Sequence, residues 1–178
     1  MVSLATLFWL LVVIFAIIGA MRGWAKELLV TFSIVLSIFI IVVLNRYVPF
    51  FQNFSASGSL STVFWIEALI VVLMAFFGYQ TPNLPRLAGQ RFARERLQDT
   101  LLGFFIGALN GYLLVGTLWF YLNELGYPFD LIRPPVPGDP FTESALELIQ
   151  YLPPNWLTEP TIYFAVAISF AFVVIVFV

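Results

Sequence analysis

Two polar side chains lie well inside long apolar runs of this sequence, Glu67 and Asn110. A carboxyl can store a proton, accept hydrogen bonds or ligate a metal. A carboxamide donates and accepts at once and cross-links helices. Neither has the company that catalysis requires. The chain has no histidine and no cysteine, which excludes thiolate-bound zinc, iron–sulfur clusters, histidine-ligated haem, serine–histidine hydrolysis and disulfides. A proton relay needs further ionisable groups beside Glu67, and no lysine or arginine falls within an apolar run. An intramembrane aspartyl protease needs paired aspartates there, and none is present. The expectation is therefore no catalytic residue, no metal, no cofactor and no enzyme. For Glu67 three readings stay open: structural hydrogen bonding to Ser33, Ser37 or Asn110, snorkelling to a nearby interface, or a protonation-linked role.

The elements that must position these residues are five apolar stretches: Leu4–Met21, Leu28–Leu44, Leu60–Tyr79, Leu101–Leu122 and Thr161–Val178. Each approaches the ~17–25 residues a helix needs to cross a bilayer. With 61% hydrophobic residues and a mean hydropathy of +0.98, the chain has too little polar surface for a water-soluble domain. The fold class is all-α, a polytopic membrane protein with about five transmembrane helices. Met1–Thr6 lacks the basic start of a cleavable signal, so the first stretch is expected to remain as a helix. Arg22, Lys26, Arg86, Arg91, Arg94 and Arg96 fall in the first and third connections, against Arg46 and Arg133 in the second and fourth. Short cytoplasmic loops collect such charges. The expected placement is the bacterial inner membrane, with the N-terminus outside and the C-terminus inside. Trp24, Tyr47, Tyr79, Trp119, Tyr121 and Tyr163 mark stretch ends, where amphipathic rings favour the interface.

Gly103, Gly107 and Gly111 recur at intervals of four and leave one face of the fourth stretch without side chains. Helices approach closely along such stripes, because lipid supplies no hydrophobic drive for association. The stripe can pack within the chain or against another subunit. A lesser stripe of small residues, through Ala16, Ala20 and Gly23, closes the first stretch, where Gly19 also lies. Between the third and fourth stretches, Leu87, Phe92 and Leu97 alternate with Arg86, Arg91, Arg94 and Arg96, the pattern of a short interfacial helix holding arginines at lipid headgroups. Nucleic acid is not needed to explain these charges.

Two segments resemble a known family. The first is Ile17-Ile-Gly19-Ala-Met-Arg22-Gly23-Trp-Ala-Lys26-Glu27-Leu28-Leu29. The second is Arg96-Leu-Gln-Asp99-Thr-Leu-Leu102-Gly103-Phe-Phe-Ile-Gly107-Ala-Leu-Asn110-Gly111. Both are similar to the colicin V production protein (CvpA) family of bacterial inner-membrane proteins, in which a helix ends in an Arg-Gly turn, a Glu-Leu-Leu start follows, and an Asp-x-x-x-Gly-x-x-x-Gly stretch opens the fourth span. The resemblance covers roughly residues 1–122. It implies a membrane protein linked to export and envelope maintenance, and it brings no catalytic residues. Three features depart from the family: Asn110 stands where a basic residue is common, the segment after the fourth span is long and proline-rich, and a fifth span follows.

The chain thus divides into a four-helix membrane region (1–122), an acidic proline-rich outer segment (123–160) and a fifth membrane helix (161–178). Eight of the 11 prolines fall in the outer segment, and six carboxylates, Glu124, Asp130, Asp139, Glu143, Glu147 and Glu159, face Arg133 alone. Asp139 is placed to cap a helix that starts at Pro140. Phe141, Ala145, Leu148 and Leu152 give that helix one apolar face, and Pro153-Pro154 ends it. The expected arrangement is a strap across the outer ends of the spans, solvated or serving to dock a basic soluble protein. The leading functional reading is a non-catalytic accessory subunit contacting other integral membrane subunits and lipid, with an electron-transport or photosynthetic complex as one setting. The alternatives are a free-standing member of the resembled family in export or envelope homeostasis, and a small transporter or channel.

Overall fold

The computed structural model describes residues 3–80, 93–139 and 142–177. Among them every regular element is a helix: α1 (Leu4–Arg22), α2 (Trp24–Tyr47), α3 (Pro49–Ser57), α4 (Leu60–Tyr79), α5 (Ala93–Glu124), α6 (Glu143–Ile149), α7 (Pro153–Trp156) and α8 (Thr161–Phe177). α1, α2, α4 and most of α5 are each long and apolar enough to cross a membrane. A fifth crossing arises only if α6–α7 and α8 count together, and that pair is bent by 63°. The chain is an all-α polytopic membrane protein, as expected, with four helices of spanning length and a bent α6–α8 pair where the fifth span is expected.

α1 and α2 are separated by one residue, Gly23, at φ 86°, where its amide still donates to the Gly19 carbonyl. A Cβ at Gly23 would sit 2.8 Å from the Asp99 carboxylate, so both the backbone angle and the space select glycine. The turn sends α2 back alongside α1. α5 then packs antiparallel along α1 in the most extensive helix pair of the bundle. The seam is glycine on glycine. A Cβ on Gly19 would collide with the Gly103 carbonyl and come within 2.7 Å of the Gly107 Cα. One on Gly111 would meet the Phe15 Cβ at 2.8 Å. The stripe therefore packs within the chain, and close backbone approach supplies the dispersion contacts that hold α1 to α5.

α2 is the central post. Val30, Ile34, Val35, Ile38 and Ile41 are buried on it at helical spacing, facing α4, α5 and α8. α4 answers with Val63, Glu67, Val71, Ala75 and Gly78, and a Cβ on Gly78 would fall 2.7 Å from Ser33 Oγ. α3, opened by Pro49 at its first position, lies where the sequence reading has only a connection. The interfacial helix expected from Leu87 falls mostly outside the described residues. Its later part, from Ala93, is the first turns of α5 rather than a separate element.

The proline-rich segment departs from the expected strap. Gly126 and Tyr127 take positive φ, 69° and 56°, and turn the chain back over α5, where Trp119 Nε1 donates to the Tyr127 hydroxyl at 3.1 Å. Burial raises the pKa of that hydroxyl, with the Trp119 bond acting in the opposite direction. The helix expected from Pro140 begins at Glu143 instead, with Thr142 at its N-cap and the Asp139 carbonyl accepting from both Thr142 and Glu143 amides at 3.0 Å. Pro140 and Phe141 lie outside the described residues. Pro153 and Pro154 do more than stop this helix. Prolines suit the first turn of a helix, where no amide is needed, and here they open α7 and are themselves buried. α7 enters the bundle: a Cβ on Gly116 would meet Pro153 Cδ at 2.7 Å, about two helical turns below the end of α5 at Glu124. Tyr112 pins it by donating to the Tyr151 carbonyl and accepting from Trp156 Nε1 at 3.1 Å. α8 then runs antiparallel to α2, with Tyr163 against Phe39 and Phe172 against Phe32.

Candidate functional site

The most polar interior lies where α1 turns into α2. Arg22 ends α1 and Glu27 sits in the first turn of α2, where the helix dipole favours a carboxylate. Their side chains pair at 2.6 Å, with Glu27 fully buried and Arg22 one-fifth (20%) exposed. From α5, Asn110 Nδ2 donates to Glu27 Oε2 at 2.8 Å and to the Glu27 carbonyl at 3.0 Å. Thr31 Oγ1 lies 2.6 Å from Asn110 Oδ1 and 3.1 Å from the Glu27 carbonyl. A hydroxyl has one proton, and the shorter contact takes it. Arg22 also donates to the Tyr79 carbonyl at the end of α4, at 3.0 Å, and its guanidinium lies 4.4 Å from the Tyr79 ring centre, a cation–π contact. Asp99 of α5 accepts from the Trp24 amide at 3.2 Å, satisfying a donor that opens α2.

Four helices meet in this network. Both oxygens of the Glu27 carboxylate are engaged, one by Arg22 and one by Asn110. A buried charge without such partners would be costly. Among the described residues no group of three or more histidines, cysteines or carboxylates stands ready for a metal. The arrangement locks helix ends and pairs a fully buried carboxylate with a guanidinium that keeps one-fifth (20%) of its surface exposed.

Glu67 is elsewhere. Ser33 and Ser37 bond to carbonyls of their own helix, Leu29 at 2.9 Å and Ile34 at 2.6 Å, and Asn110 is taken by Glu27. Asn45 is the partner, donating to Glu67 Oε1 at 3.4 Å, and it also adjoins Ser55 of α3. The reason is direction. α4 runs antiparallel to α2, so the start of α4 meets the end of α2. Arg86 and Arg91 lie outside the described residues, as does the side chain of Arg94; Arg96 is exposed near the Arg22 end. The six acids do not form one surface. Glu143 and Glu147 are exposed on α6 and Asp130 on the preceding loop, whereas Asp139 is half-buried. Glu124 and Glu159 line a common cleft with Arg46.

The family model of the colicin V production protein matches residues 4–131, which spans α1 to α5 and every member of the Arg22–Glu27–Thr31–Asn110–Asp99 network. The chain belongs to the colicin V production protein family. No curated protein and no solved structure matches it. α6 to α8, with the inserted α7 and the bent α6–α8 pair, lie beyond the matched region. Sequence reasoning found Asn110 and the glycines of the matched region but missed Glu27, Thr31 and Arg22 as its partners. The signal was present: an acid five residues after an arginine, across a single glycine, at the start of an apolar helix.

Proposed function

We propose that this protein is a free-standing member of the colicin V production family in the bacterial cytoplasmic membrane, acting in export or envelope homeostasis without bond chemistry of its own. The observation that carries this is the family match over residues 4–131. The self-contained bundle beneath that match agrees with it. Devices that could hold another subunit, the glycine stripe, Asn110 and Glu67, find their partners inside the chain. The proposed orientation places the Arg22, Lys26 and Arg96 end in the cytoplasm and the α3, α6 and α7 end outside. Gentle detergent extraction followed by native mass measurement tests the reading. A monomer or small homo-oligomer is expected, and a stoichiometric assembly with other integral membrane subunits would overturn it. Deletion from the host should alter secretion or envelope permeability, restored by the intact chain.

A further inference from the structure

A cleft of about 800 Å³ opens between the ends of α2 and α5, with α3 beside it. Pro154, Leu157 and Glu159, from α7 and the turn into α8, close its other side. These residues lie outside the family match. Its volume falls in the ~300–1,000 Å³ range of small-molecule sites. Its floor is apolar, made by Ile38, Ile41, Phe120 and Leu157.

The rim decides the charge of an occupant. Among the described residues Arg46 is the one cation lining the cleft, and its Nε lies 3.4 Å from Glu159 Oε2. The other Glu159 oxygen accepts the Tyr163 hydroxyl at 2.6 Å, so the Arg46 charge is balanced by Glu159 and the rim keeps one carboxylate in excess. Glu124 faces the same cleft and has no ion-pair partner among the described residues. Behind the wall, Asn45 of the rim holds the Glu67 carboxyl, a second acidic group that no cation of the rim neutralises. An anion entering here would meet uncompensated carboxylate, and a neutral apolar molecule would leave Glu124 unused. We propose that this cleft binds a small organic cation carried on an apolar body, its charge on Glu124 and its body on the Ile38–Phe120–Leu157 floor. The site does not depend on the export reading. A free amphipathic cation and the amine of a phospholipid headgroup share this chemistry.

The test uses the full chain in phosphatidylglycerol nanodiscs and labelled tetraphenylphosphonium, with empty nanodiscs as background. Saturable binding near one per chain is expected. Glu124→Gln, an exposed change that should leave folding intact, should weaken it about tenfold, as should Val42→Phe, which fills the cleft. Labelled tetraphenylborate, of the same shape and opposite charge and tested separately, should show no saturable binding above empty nanodiscs. Replacing half the lipid by phosphatidylethanolamine separates the sources: weaker probe binding in wild type identifies the lipid amine as the occupant, and unchanged binding identifies a free cation. Binding no greater than in empty nanodiscs, or binding that Glu124→Gln leaves unchanged in a protein of wild-type thermal stability, overturns the proposal.

Discussion

Glu27 is a carboxylate with no access to water, held by a guanidinium on one oxygen and a carboxamide on the other. Removing one member of a buried pair leaves the other charge uncompensated, which costs about 3–5 kcal/mol in protein interiors. Glu27→Leu should therefore lower the thermal midpoint of the purified protein sharply, while the double variant Arg22→Leu/Glu27→Leu should recover much of the loss. A double-mutant cycle on these midpoints measures the coupling; a double variant as unstable as the sum of the singles would show that the two charges act independently. Asn110→Leu should cost less, about 0.6–2 kcal/mol, the range of interhelical hydrogen bonds in membranes. Asn110 was legible as polar and interior. Its partner was not, because choosing between Glu67 and Glu27 requires knowing which helix end faces which.

At the scale of elements, the seam between α1 and α5 rests on the absence of side chains. A Cβ at Gly107 would collide with the Phe15 carbonyl and reach 2.8 Å from the Gly19 Cα. Gly107→Leu should thus separate α1 from α5, whereas Leu109→Ala, at a position 42% exposed on the outer face of α5, should leave the seam intact. Thermal stability and limited proteolysis of the two variants give the comparison, and equal behaviour would place the stripe outside the seam. Gly116→Val addresses α7 in the same way. The added side chain occupies the place of Pro153, so α7 should withdraw and Tyr112 should lose Trp156. A fall in Trp156 fluorescence anisotropy, with the other tryptophans replaced by phenylalanine, would report the release. Glycines at intervals of four announce a close contact in the sequence. They do not say with what, since a smooth face serves a neighbour in the same chain or in another.

For the whole molecule, the charge imbalance between connections gives a testable placement. With no native cysteine, single cysteines report cleanly. An impermeant thiol reagent applied to intact cells should label Ser57→Cys and Asp130→Cys and spare Arg96→Cys; labelling at position 96 would invert the orientation. The same experiment locates the end at which the cleft opens, because Ser57 and Asp130 share that end with Arg46 and Glu124.

That the chain forms long helices, and roughly where four of them lie, follows from its own composition, because a run of apolar residues near bilayer length has few alternatives in lipid: its backbone must bond internally, and a helix does so at short range. The single-residue turn at Gly23 is local for the same reason. Tertiary structure decided the rest. It matched Glu67 to Asn45 and Asn110 to Glu27, turned the glycine stripe inward, and carried Pro153 down to Gly116 instead of leaving a strap across the surface. Each of these depends on helix direction and depth, which bring together residues as far apart in the chain as Val12 and Gly111, and no short-range pattern along the chain encodes which of the available partners will be adjacent.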